Sequence, residues 1–207
     1  SLEIFNDRFR AGSARSVALD GHRSLILLLD ETARRTGRPV SPAAAIPPPA
    51  RVLNVEFIEF AVEDPDRAVF AGLLAAMGFA KVGAHRSKDV ELWRQGDIRI
   101  VLNCDKEGFA HSYQITHGTS VCAIALKVAD ARATLARAKA LLEKPHVGAI
   151  GPSELDIPAV RGLGGSLVYF VDSETALGRW SEVDFTPTGV EPAGAGLVAV
   201  DHISQSM

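Results

Sequence analysis

Asn54-Val-Glu-Phe-Ile-Glu-Phe-Ala-Val62 reads as a β-strand, and its neighbours along the chain set the fold. Pro65 to Met77 reads as a helix closed by Gly78, and three further strands are expected near Phe79–Arg86, Val90–Arg94 and Ile98–Cys104. The order is βαβββ. The same order then recurs: a strand over Ser120–Val128, a helix over Asp130–Glu143 with an Ala/Leu face, and strands near His146–Ile150, Ile157–Arg161 and Ser166–Val171. A supersecondary unit of about 65 residues that occurs twice is stronger evidence than any single motif. Two such units with their sheets side by side predict an α+β fold, one curled mixed sheet whose concave face can hold a ligand.

Outward from this duplication, the chain changes character. Five of the eleven prolines fall within Arg38–Ala50, a run that removes backbone donors and favours extended geometry, so residues 38–50 read as a linker. Before it, Ser1-Leu-Glu-Ile-Phe5 reads as a strand, and Asp20 as the N-cap of a helix through Arg35 whose Leu25, Leu28 and Leu29 share a face. One strand and one helix cannot fold alone, so residues 1–37 are expected to be the end of a larger α/β domain. At the other end, Ala199-Val-Asp-His-Ile-Ser-Gln-Ser-Met207 repeats the pattern of the Asn54–Val62 strand as if opening a third unit. The chain is therefore expected to be a piece of a longer parent.

Composition narrows the function. The 207 residues are 47% hydrophobic and 23% charged with a formal net charge of -3, which suits a small-molecule enzyme better than a nucleic-acid binder. The apolar run Leu25–Leu29 is far shorter than the roughly 20 residues needed to span a bilayer. Cys104 and Cys122 sit in strand-like runs without a CxxC partner and make no disulfide framework, so a reducing cytoplasm is the expected home.

The duplicated unit resembles the vicinal oxygen chelate superfamily, which includes glyoxalase I and the extradiol and 4-hydroxyphenylpyruvate dioxygenases. Glu91-Leu-Trp-Arg-Gln-Gly96, Val101-Leu-Asn-Cys104, Gly108-Phe-Ala-His111, Ser120-Val-Cys-Ala-Ile-Ala-Leu126 and Ile157-Pro-Ala-Val-Arg-Gly162 are similar to the N-terminal, non-catalytic half of a 4-hydroxyphenylpyruvate dioxygenase. The head, Ser1-Leu-Glu-Ile-Phe-Asn-Asp-Arg-Phe9, resembles the closing strand of a xylose-isomerase-like TIM barrel. The combination is similar to bacterial fusions in which a 3-dehydroshikimate dehydratase barrel precedes a hydroxyphenylpyruvate-dioxygenase-like domain. The resemblance implies four segments: the barrel end (1–37), the linker (38–50), the non-catalytic half (51–190) and the start of the catalytic half (191–207).

It also implies site residues. Dioxygenases of this kind hold Fe(II) with two His and one Glu on separate strands, and Val200-Asp201-His202 matches the motif of the first His. The other two ligands would lie beyond residue 207. Within the complete module the corresponding positions carry Phe57, Ala123 and Tyr169, so the module itself is expected to hold no iron. His202 alone reads as a single imidazole paired to a neighbour; the resemblance makes it the first iron ligand of the parent. Glu3 alone reads as a solvated carboxylate. The resemblance makes it the last divalent-metal ligand of the barrel, for a Mg or Mn ion that polarises the substrate carbonyl.

Other candidates carry blander readings. His111 and His117 flank an expected loop with neither HxH nor HxxxH spacing and read as hydrogen-bonded loop residues. Gly162-Leu-Gly-Gly165 lacks the Lys-Ser/Thr of a phosphate loop and reads as a tight turn, while Trp93 and Trp180 are expected to pack on strands. Asn6, Arg8 and Arg10 are given no role. The resemblance thus implies a bifunctional parent: dehydration of 3-dehydroshikimate to protocatechuate, and Fe(II)-dependent oxidation of a 2-oxo acid such as 4-hydroxyphenylpyruvate. Its partners would be small aromatic or hydroaromatic acids and further copies of itself, not nucleic acid or membrane. The alternative is a non-catalytic module serving ligand binding or oligomerisation.

Overall fold

The computed structural model describes residues 47–204. The chain divides between Ile46 and Pro47, so the described residues belong to the second unit; the expected barrel strand, its helix and most of the linker lie outside them. Among the described residues, no helix is long and apolar enough to cross a membrane.

The first βαβββ unit forms as expected: β1 (Val52–Ala61), α1 (Asp64–Ala76), β2 (Ala80–His85), β3 (Val90–Gln95) and β4 (Ile98–Asn103). Pro65 sits in the first turn of α1, where its missing N–H costs nothing, and Asp64 and Asp66 face the positive end of the helix. Gly78 follows at φ +88°, a left-handed conformation that turns the chain into β2. A Cβ at Gly78 would lie 2.7 Å from the Ala195 backbone nitrogen.

The remainder contains α2 (Gly108–His117), β5 (Ser120–Val128), α3 (Ala131–Ala140), β6 (Ala159–Arg161), β7 (Leu167–Val171), α4 (Trp180–Val183) and β8 (Phe185–Pro187). Here the sequence reading needs four corrections. The loop expected between His111 and His117 is instead part of helix α2. The expected strand His146–Ile150 is absent; Pro145 makes one isolated bridge to Val160 and the chain then runs irregularly across the concave face. Trp180 begins a short helix rather than lying on a strand. Residues 199–204, expected to repeat β1, form no strand, because the segment finds no hydrogen-bonding ladder among the described residues.

All eight strands form one mixed sheet in the order β6-β7-β5-β1-β4-β3-β2-β8. β1 and β5, the first strands of the two units, join antiparallel at the centre, and each runs parallel to a strand of its own unit, β4 and β7 respectively. β8, from the end of the second unit, pairs with β2 of the first. In a flat sheet, four steps of about 4.8 Å would hold β8 about 19 Å from β1. Instead Trp180 bridges them, its ring centroid 5.8 Å from Phe185 and 4.7 Å from Phe57. The sheet therefore curls.

The outer face packs on α1 and α3. Leu74 of α1 joins Val62, Phe79, Trp93, Ile100 and the fully buried Leu102; Ala131 of α3 joins Val128, Val160 and Phe170. Arg67 of α1 donates to Asp89 and Glu91, and Glu91 also accepts from Lys81 and Trp93, so its buried carboxylate is compensated on several sides. The segment after β8 is strapped back by the buried Gln95. Its Nε2 donates to the Met77 carbonyl at 2.7 Å while its Oε1 accepts from the Ala195 and Leu197 amides.

Candidate functional site

Alternation along β1 sends Phe57, Glu59 and Ala61 to the inner face. The register places Val101 and Asn103 of β4, and Ala123 and Ala125 of β5, beside them. Tyr169 of β7 pairs with Ala125, and its ring lies 5.9 Å from that of Phe57. Over this floor the start of α2 and the irregular segment 146–157 form walls, leaving a cavity of about 330 Å³.

The polar groups of the cavity come from five places in the chain. Glu59 stands half-buried on the floor of the cavity. Burial raises its carboxyl above the ordinary value of 4.5, against the pull of the Asn103 amide, which donates to Oε1 at 2.7 Å, and of Lys88. Asn103 is oriented by its other end, since Oδ1 accepts the Asp105 N–H at 3.1 Å. Burial and the nearby Glu59 charge push the Tyr169 hydroxyl well above its ordinary range, so it stays a neutral phenol. His85 is held below its ordinary value, mainly by burial, and its Nδ1 faces the N–H groups of Ser87 and Lys88 at 3.3 and 3.2 Å, the arrangement of a neutral ring accepting at Nδ1. Glu154 closes the rim. Burial works against its ionisation, but Lys88 at 2.6 Å, Ser87 and the Gly151 N–H outweigh that and bring it down to about 2.

The residues singled out from sequence are distributed unevenly around this cavity. Phe57 and Tyr169 line it, and Ala123 lies beside them, wholly buried. A phenyl ring, a methyl group and a neutral phenol offer an Fe(II) ion no carboxylate or imidazole, so these residues do not fit the iron site of the resemblance. Among the described residues, no three His, Cys, Asp or Glu side chains converge as a metal-holding group. His202 is 80% exposed in an irregular segment, its Nδ1 2.8 Å from Asp201 Oδ2. Glu3 lies outside the described residues. His111 and His117 are on α2, where six positions at 100° per residue leave them on different sides of the helix; His117 stacks on Tyr113 at 4.2 Å. Gly162–Gly165 is the expected tight turn, with Gly164 at φ +65°.

Glu59, Asn103, His85, Lys88 and Glu154 were not singled out from sequence. Glu59 carried a signal, a carboxylate in an apolar strand on the face shared by Phe57 and Ala61. Lys88 and Glu154 carried none, being 66 positions apart.

Known proteins resemble this chain in sequence and in fold. A family model described as hydroxyphenylpyruvate dioxygenase, N-terminal, matches residues 47–186. A 3-dehydroshikimate dehydratase of Pseudomonas aeruginosa is 44% identical over 213 residues, covering 100% of this chain and 33% of its own length. A 4-hydroxyphenylpyruvate dioxygenase of a Pseudomonas species is 37% identical over 162 residues, covering 77% of this chain and 45% of its own. Among solved structures, a xylose isomerase-like TIM barrel/4-hydroxyphenylpyruvate dioxygenase fusion protein superposes with a TM-score of 0.73 at 40% identity, over 92% of this chain and 32% of that one. The chain thus spans about a third of the length of the dehydratases and the fusion protein that it matches. A family match across the whole curled sheet, and a relative carrying the same fold behind a barrel, agree with the resemblance read from the duplicated unit: the chain belongs to the hydroxyphenylpyruvate dioxygenase N-terminal family, with a vicinal oxygen chelate fold.

Proposed function

We propose that this chain is part of a bifunctional enzyme of aromatic-compound metabolism. Residues 1–37 are the end of a barrel that dehydrates 3-dehydroshikimate to protocatechuate, 38–50 the linker, 51–190 the non-catalytic half of a dioxygenase-like domain, and 191–207 the start of its catalytic half. The observation that carries this reading is the 44% identity to a 3-dehydroshikimate dehydratase along the whole chain, on both sides of the proline-rich run.

In this reading Glu3 is a ligand of a Mg- or Mn-type ion in the barrel. His202 is the first of three protein ligands for Fe(II) in the dioxygenase-like domain, with the other two contributed by chain outside this sequence. The substrates are small aromatic or hydroaromatic acids, and the parent is a cytoplasmic homo-oligomer.

The test is an assay of the parent protein with 3-dehydroshikimate and with 4-hydroxyphenylpyruvate, comparing wild type with Glu3→Ala and His202→Ala. Loss of protocatechuate formation in Glu3→Ala alone, and loss of oxygen uptake in His202→Ala alone, are expected. Unchanged activity in both variants overturns the two metal roles.

A further inference from the structure

Residues 147–153 form one wall of the cavity, with Gly148, Ala149 and Ile150 in its lining, yet little holds that wall in place. Among the described residues, no hydrogen bond leads from 147–153 to any residue beyond Glu154. None of these residues joins a hydrophobic core cluster, and Val147 is 90% exposed. A stretch with few buried apolar contacts and no strand ladder opens at a lower free energy than the sheet beneath it.

Both ends of the stretch are fixed. The His146 N–H donates to the Ala159 carbonyl at 2.8 Å. The Leu155 N–H donates to Asp184 at 3.1 Å, and the Leu155 side chain packs against the core that contains Phe57 and Trp180. Between these ends Ser153 takes φ +70°, a left-handed turn at a non-glycine residue.

Glu154 alone ties the stretch to the loop between β2 and β3. Its carboxylate accepts from Lys88 at 2.6 Å and from the Ser87 hydroxyl. It also accepts the Gly151 N–H at 2.7 Å, while the Gly151 carbonyl accepts the Glu154 N–H at 3.1 Å, so 151–154 is a closed turn that carries the carboxylate. A Cβ at Gly151 would lie 2.7 Å from the Glu154 carboxyl carbon. The Glu154 side chain is buried and Lys88 reaches solvent, and a single ion pair of that kind is weak enough to break and reform.

We propose that residues 147–153 are a lid on the concave-face cavity, hinged at His146 and Leu155 and latched by the Glu154 carboxylate to Lys88 and Ser87. Closed, the lid narrows access to the floor, where Phe57 and Val101 are buried; open, it widens the way in for a small molecule. Neither the iron nor the barrel chemistry enters this proposal, so it can fail while the enzymatic reading stands.

The test is amide hydrogen exchange of the 207-residue chain, read at Gly151 and Glu154 for the lid and along β5 for the core. In the wild type the lid amides are expected to exchange faster than those of β5. Lys88→Met, which leaves the lid's own residues intact, is expected to speed the lid amides at least about fivefold, the loss of one charge-assisted bond. Leu102→Ala, in the outer core, is expected to speed β5 and leave the lid amides unchanged. Access is read by iodoacetamide alkylation at position 101 of Val101→Cys, expected to be at least about fivefold faster when Lys88→Met is added. Lid amides that exchange no faster than β5, that follow β5 in Leu102→Ala, or that ignore Lys88→Met overturn the lid, and alkylation indifferent to Lys88→Met overturns its control of access. If Val101→Cys folds poorly, the exchange comparison in the wild type and in Lys88→Met still decides.

Discussion

Asn103 and Glu59, on neighbouring parallel strands, are joined by a 2.7 Å hydrogen bond that spans 44 positions in the chain and sits on the floor of the cavity. The bond satisfies one oxygen and supplies no charge. Burial therefore dominates, and the folded state holds the Glu59 proton more tightly than the unfolded chain does. The unfolded carboxyl titrates near 4.5, so between that pH and the raised folded value the native state binds more protons, and stability falls as pH rises. Glu59→Gln removes this cost: its melting temperature is expected to exceed that of the wild type at pH 7, with the difference shrinking towards pH 4. A variant less stable than wild type at pH 7 would contradict this account.

Glu154 behaves in the opposite sense. Its folded carboxyl is brought down to about 2 from 4.5, with the Lys88, Ser87 and Gly151 donors overcoming burial. A depressed carboxylate contributes stability that is fully present above the unfolded value and is lost as pH falls from about 4.5 to about 2. Glu154→Gln is expected to be less stable than wild type at pH 6 and to show a shallower loss on acidification. Thermal melts across that range measure it.

Leu102 is completely buried on β4 against the residues that seat α1. Leu102→Ala leaves a void that the surrounding β3, β4 and α1 side chains cannot collapse to fill. A loss of about 2–5 kcal/mol in urea unfolding is expected, with the slope of the unfolding curve unchanged.

Gly78 turns the chain from α1 into β2 at φ +88°, directly against the backbone of residues 194 and 195. Gly78→Ala adds a left-handed strain of about 1–2 kcal/mol and pushes the Ala195 segment away. Faster amide exchange at Ala195 and Leu197, whose N–H groups bond Gln95, distinguishes displacement of the strap from a uniform loss of stability.

Trp180 ties the curled sheet together, its Nε1 donating to the buried Glu56 at 3.0 Å and its ring against Phe57. Trp180→Phe keeps most of the ring packing and removes the donor, leaving Glu56 with Arg99 at 3.3 Å. A loss of about 1–3 kcal/mol is expected, measured by chemical denaturation; Trp180→Phe combined with Glu56→Gln should cost less than the two single changes added together.

Much of the fold was legible because it rests on local pattern. The period-2 strands β1, β3, β4, β5 and β7, the amphipathic α1 and α3, and Gly78 as a stop signal all show in runs of fewer than twenty residues, and their repetition revealed the duplicated unit. Helix α2 was missed because Gly108–His117 begins with glycine after an uncapped Glu107 and carries β-branched and polar residues, so its helicity comes from packing Ala110 on Ala61 and Cys122. The expected strand His146–Ile150 failed because Val147 and Ile150 are exposed and the segment has no ladder to join beyond Pro145.

The site divides along the same line. Read through the family resemblance, the sequence implied that Phe57, Ala123 and Tyr169 stand where the family pattern has metal donors, an expectation about side-chain chemistry that needs no coordinates. It also held the repeat, and the repeat implied a concave face. Only the tertiary structure decided what that face contains. Glu59 and Asn103, Lys88 and Glu154, and Trp180 and Phe57 meet through sheet register and curl, and these depend on the pairing of β1 with β5 and of β2 with β8. Such pairings are fixed by burying both faces of the whole sheet at once, a property of the assembled chain that no local window contains.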